Sequence, residues 1–158
     1  MKFLRNLTAV IALFVVSLGA SAQTTKAALT AYLSVKEALV ATDGAKANAK
    51  ARELVSTLNQ ITAARLSAAD QKALAAAKSS AASISKTVEV DLQREQFETL
   101  SKSMIALSKS TKPAKAYVQF CPMAAEGKGA FWLSDKKEVA NPYYGSKMLK
   151  CGKVTEEI

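Results

Sequence analysis

An all-α protein is expected: an up-down four-helix bundle carrying a short, irregular C-terminal cap. Apolar residues recur at spacings of three and four through four segments between about residues 24 and 111. Pro113 then ends the helical pattern, because its ring cannot continue the hydrogen-bond ladder. Beyond it the composition changes abruptly. The stretch from Tyr117 to Gly152 holds both cysteines, two of the three prolines and six of the ten aromatic residues. The segments before it are mostly Ala, Lys, Ser, Leu and Thr.

The first 22 residues read as an export signal. Lys2 and Arg5 form a positive start, LTAVIALFVVSLG an apolar run too short to favour a membrane span, and Ala20-Ser21-Ala22 a small-residue cleavage site before Gln23. Residues 23–158 then form a single helical domain, exported to the periplasm, with no stable membrane insertion. In the first helix, about 24–42, Ala28, Tyr32, Val35 and Leu39 share one face, widened by Leu29, Leu33 and Val40. Asp43-Gly44 interrupts it, Gly suiting a helix C-terminus and Asp a following N-cap. The second helix, about 45–63, repeats the stripe with Ala47, Ala51, Leu54, Leu58 and Ile61. Ser67 to Asp70 reads as a capping box opening the third, about 68–87, with Leu74, Ala77, Ala81, Ile84 and Val88 in line. The fourth, about 91–111, aligns Phe97, Leu100, Met104 and Leu107. Alanine at so many inward positions lets helices approach closely while burying little area, so modest stability is expected.

Charge and composition exclude several functions. The formal net charge is +9, from 22 basic and 13 acidic residues, and loss of Lys2 and Arg5 lowers it by two. The lysines are interspersed with acids and form no dense run, as on a solvated helical surface, and no nucleic-acid partner is expected. Histidine is absent from the sequence, which removes Ser-His-Asp and Cys-His catalysis and the histidine-containing zinc motifs. No catalytic constellation remains, so the chain reads as a non-enzyme.

The chemistry gathers in the cap, about 114–154. AYVQF has the alternation of a short strand or extended segment, with Tyr117 and Phe120 as anchors against the bundle. EGKGA and NPYYG supply turns, and Trp132, Tyr143 and Tyr144 read as packing residues. Soft ligands stand at both ends: Cys121 with Met123, and Met148 with Cys151. One helical turn places Met148 and Cys151 on one side, and either a strand or a turn at Pro122 can converge Cys121 and Met123. Thiolate plus thioether is the donor set preferred by Cu(I) and by Ag(I). Lys147 and Lys150 beside Cys151 are expected to lower its thiol pKa. The same cysteines also fit a second role. A Cys121–Cys151 disulfide would close a loop of about 30 residues and contribute on the order of 3 kcal/mol, and an oxidising compartment favours it. The methionines would then be ordinary packing.

The pattern at Tyr117, Cys121 to Ala124, Gly129-Ala130, Trp132 to Ser134, Asn141 to Gly145 and Met148 to Gly152 resembles the C-terminal signature of a bacterial exported family catalogued as a domain of unknown function. The helical stretches LTAYLSVKEALVATDGAKA and QREQFETLSKSMIAL are similar to it as well. Members of that family occur alone or joined to Cus-type efflux adaptors in heavy-metal resistance systems. The resemblance implies a periplasmic helical domain in copper handling, with Cys121, Met123, Met148 and Cys151 as metal ligands and a Cus-type efflux adaptor as partner. The reading is therefore a periplasmic binding protein that holds or hands over a soft metal, with Cu(I) expected first and Ag(I) second. The alternative is a cell-envelope interaction module whose cap is stapled by the disulfide.

Overall fold

The computed structural model describes residues 23–158; the export signal read at 1–22, with its cleavage after Ala22, lies outside the described residues. Four helices come first: α1 over 23–40, α2 over Gly44–Asn59, α3 over Ala68–Ile84 and α4 over Val90–Thr111. Their buried faces carry the apolar stripes, including Tyr32, Val35 and Leu39 of α1, Leu54 and Leu58 of α2, Leu74 and Ile84 of α3, and Phe97, Leu100 and Met104 of α4. Ala47, Ala51, Ala77 and Ala81 are fully buried among them. Among the described residues, no helix is long and apolar enough to cross a membrane.

The helix ends differ from the sequence pattern for local reasons. At the end of α1, Thr42 adopts φ 58°, and its N–H donates to Leu39 O while that of Asp43 donates to Ala38 O. That is a left-handed helix termination with Thr where Gly is usual. Gly44 instead opens α2, beneath the α3–α4 link: a Cβ there would lie 1.9 Å from Val88 O. Asp43 caps α2 through Lys46 N at 2.9 Å. The Ser67 hydroxyl caps α3, accepting from Asp70 N–H and donating to the Asp70 carboxylate. Because α3 stops at Ile84, Val88 falls outside its stripe and is 55% exposed. Lys112, in the left-handed region, closes α4 before Pro113.

The all-α expectation is overturned in the cap. Three strands, β1 (Tyr117–Cys121), β2 (Ala130–Ser134) and β3 (Lys153–Glu157), form an antiparallel sheet in the order β2-β1-β3. Tyr117 pairs with Ser134, Gln119 with Trp132 and Cys121 with Ala130. The extended segment read at AYVQF is β1, but the sheet around it escapes a periodicity reading because the burial of its strands does not alternate. β1 is buried at nearly every position and β3 is exposed at every position, so the two-residue rhythm of a half-buried strand is lost.

Tyrosine hydroxyls join this sheet to the bundle. Tyr32 OH of α1 accepts from Leu133 N–H at 3.1 Å and shares a 2.7 Å hydrogen bond with Ser101 Oγ of α4. Tyr143 OH donates to Phe131 O at 2.7 Å. Both satisfy polar groups on the outer edge of β2, which would otherwise be open for strand pairing. The rings continue the contact: Tyr32 stacks on Phe97, which meets Tyr143, which meets Trp132 edge-on. The opposite edge strand, β3, carries charge instead, with Glu156 paired to Lys109 and Glu157 to Lys115 at 2.5 Å each.

Candidate metal centre

Two arms of the cap meet at the cysteines. Cys121 ends the central strand β1 and is fully buried. Pro122 cannot extend the ladder, and the chain turns, with Ala124 N–H reaching back to Cys121 O. Of the two geometries open for Cys121 and Met123, the turn is the one adopted. Ala125, Glu126, Gly127 and Gly129 then all take positive φ on the way to β2. Gly129 is obligatory on contact grounds too, since a Cβ would lie 2.4 Å from the Phe120 ring. The Met123 carbonyl accepts from Tyr144 OH at 2.6 Å and from Gly127 N–H at 3.3 Å. Its side chain is 55% exposed.

The second arm is built around Asn141. This fully buried side chain donates from Nδ2 to Cys151 O at 2.9 Å and accepts from Tyr143 N–H at 2.8 Å. Its backbone N–H donates to Leu149 O. The turn that starts after Asn141 is thereby bolted to the turn that carries the second soft pair. A short 3-10 helix, Gly145–Met148, precedes Cys151, whose N–H donates to Met148 O at 3.0 Å. Met148 and Cys151 are both half-buried. Gly152 has φ 140°, and a Cβ there would meet Phe120 O and the Trp132 ring at 2.9 Å each. Only glycine lets the chain leave Cys151 pressed this closely against β1.

Both cysteines are free thiols. They are neighbours: the Cys121 thiol and the backbone of Met123 both lie close enough to act on the Cys151 thiol. The Cys121 neighbour, then desolvation, push the Cys151 thiol above its ordinary pKa, with the Met123 backbone acting in the opposite sense. Two adjoining sulfurs cannot both ionise without placing two anions side by side. The expected lowering by Lys147 and Lys150 is therefore reversed. Lys150 is engaged by Glu138 in an ion pair, and Lys147 is exposed.

The two cysteines thus come together, the Met123 backbone lies beside Cys151, and Met148 is tied to Cys151 through the backbone of the turn. A soft cation suits a pair of thiols, because thiolate sulfur is polarisable and a thiol gives up its proton on binding. A hard cation does not, and among the described residues no three Cys, Asp or Glu side chains gather to hold one. The packing roles read for the aromatics separate in the structure. Trp132 and Tyr143 are buried. Tyr117 lies under Lys115 and Lys137, and Phe120 pairs with Phe131 at 4.5 Å. Tyr144 is half-exposed and lines a cleft of about 420 Å³ between α4 and the turn after Met123. Sequence reasoning marked Asn141 only as a turn residue; the Asn-Pro dipeptide signals the bend but not the contact with a residue ten positions on.

Residues 28–116 match the family described as protein of unknown function (DUF3347). The chain belongs to that family. The match spans the helices and ends at Ala116, immediately before β1, so the thiols and thioethers lie beyond the matched residues. No curated protein and no solved structure matches the chain.

Proposed function

We propose that this protein is a periplasmic carrier of a soft monovalent metal, Cu(I) or Ag(I), bound by Cys121 and Cys151 with Met123 and Met148 completing the donor set. The observation that carries the reading is that two free thiols from opposite ends of the cap are neighbours, each with a methionine two or three residues away in sequence. Each cysteine would release its proton to solvent as its sulfur binds the ion, with no change of oxidation state. The bundle serves as the platform that holds the two arms in register. The resemblance to efflux-linked proteins supports a place in heavy-metal export, with a Cus-type adaptor as receiver of the metal and no catalytic step by this chain.

An anaerobic Cu(I) competition titration on the reduced protein tests this. One tightly bound equivalent, lost in Cys121→Ser and in Cys151→Ser, is the expected result; no binding by the intact protein defeats the proposal. The same proximity of the thiols favours one other reading, an envelope interaction module stapled by a Cys121–Cys151 disulfide. Thiol counting on protein isolated from the periplasm separates the two: two reactive thiols after unfolding favour the carrier, and none favours the staple.

A further inference from the structure

We infer that Met123 is the exchange ligand of this site, the thioether that first takes the ion from its donor and last holds it on release. The inference rests on the metal-carrier reading. Burial grades across the four sulfurs. Cys121 is fully buried, Cys151 and Met148 are half-buried, and Met123 is 55% exposed. The other described methionine, Met104, is 2% exposed in the bundle core.

Single exposed apolar residues are common and mean little alone. Met123 differs in what fixes it. Its carbonyl is held by Tyr144 OH and Gly127 N–H, and its backbone lies close enough to act on the Cys151 thiol. The main chain is clamped beside the thiol pair while the side chain remains outside the packing. A thioether on three rotatable bonds can therefore swing between solvent and the sulfurs without disturbing the fold. Cys121, by contrast, cannot meet a donor protein's ligand directly. An ion can reach it only after an outer sulfur has engaged.

The steps balance without a redox partner. The Met123 sulfur forms a bond to the ion as one bond between the ion and its carrier breaks, and the carrier's ligand keeps its electron pair. Cys151 and then Cys121 replace the remaining carrier ligands, each losing its proton to solvent. Release runs in reverse, with Met123 the last sulfur attached.

Stopped-flow mixing of reduced protein with the Cu(I)–bicinchoninate complex tests the order, read by chelator absorbance and by Trp132 emission. Intact protein is compared with Met123→Leu and Met148→Leu, each checked for unchanged far-ultraviolet circular dichroism. Met123→Leu should lower the association rate constant about tenfold, a larger change than in Met148→Leu. An unaltered association rate in Met123→Leu, faster dissociation as its sole effect, or a larger association defect in Met148→Leu each overturns the inference while leaving the carrier reading intact. Absence of Cu(I) uptake by the intact protein instead removes the carrier reading and this inference with it.

Discussion

Replacing Tyr32 by Phe should uncouple the cap from the bundle at a cost of about 3 kcal/mol. The substitution retains the ring, and with it the stack on Phe97 at 5.2 Å. What disappears is one hydroxyl that serves two partners. Leu133 N–H, on the open edge of β2, loses its acceptor, and Ser101 Oγ, fully buried on α4, loses its bond. Each orphaned buried group costs about 1–3 kcal/mol, and about 3 kcal/mol in total corresponds to roughly 10 °C in melting temperature for a domain of this size. Urea unfolding followed through Trp132, the single tryptophan, measures it. Tyr144→Phe is the comparison, removing a half-exposed hydroxyl with one carbonyl partner, and should lose about 1 kcal/mol or less. A loss below about 0.5 kcal/mol for Tyr32→Phe, the range of ordinary surface substitutions, would refute the claim that this hydroxyl joins the two layers.

The same buried phenol sets an alkaline limit. Burial raises the Tyr32 pKa above the ordinary 10.0, and Tyr143 rises for the same leading cause. The unfolded chain ionises first, so stability should fall as pH climbs above about 10, and Tyr32→Phe should flatten that slope in urea titrations across the range. At the site, Cys121→Ala removes the largest cause of the raised Cys151 pKa, so Cys151 should alkylate faster near neutral pH; an unchanged iodoacetamide rate would contradict the action of Cys121 on it. Gly152→Ala should destabilise by about 1–3 kcal/mol through a strained φ and close contacts with Phe120 and Trp132. It should also weaken Cu(I) competition by displacing Cys151 from Cys121.

The helices were legible because their signal is local. Stripes such as Leu54 and Leu58, or Phe97, Leu100 and Met104, repeat within a few residues and are buried as the period requires. The cap was legible only in part: AYVQF reads as a strand and β1 is one, while β2, β3 and the sheet they form carry no such local signal. Soft ligands could be recognised by type, yet the approach of Cys121 to Cys151 depends on Asn141, Gly152 and the packing of β1. The Tyr32 to Leu133 bond spans 101 positions, and no window of sequence carries such a contact. Thiol pKa failed for a related reason. Lys150 is adjacent to Cys151 in sequence, but Glu138 takes its charge, and the partner that matters is thirty residues back.

Platform and site are joined by few residues, which gives the bundle a measurable role in binding. Arg94 of α4 donates from Nε to Pro142 O and from Nη2 to Leu39 O and Thr42 Oγ1. The residue before Pro142 is Asn141, whose amide holds Cys151. The path from helix to thiol is thus two side chains long. An isolated peptide of residues 114–154 retains all four sulfurs but must close a loop of about 30 residues on binding, at about 3 kcal/mol by chain entropy. The folded protein has already closed it. The intact protein should therefore bind Cu(I) about a hundredfold more tightly than the peptide, at 1.4 kcal/mol per tenfold, when both are titrated against one chelator. Equal affinities would mean that the helices do not preorganise the sulfurs, and that their function lies elsewhere than in holding the site.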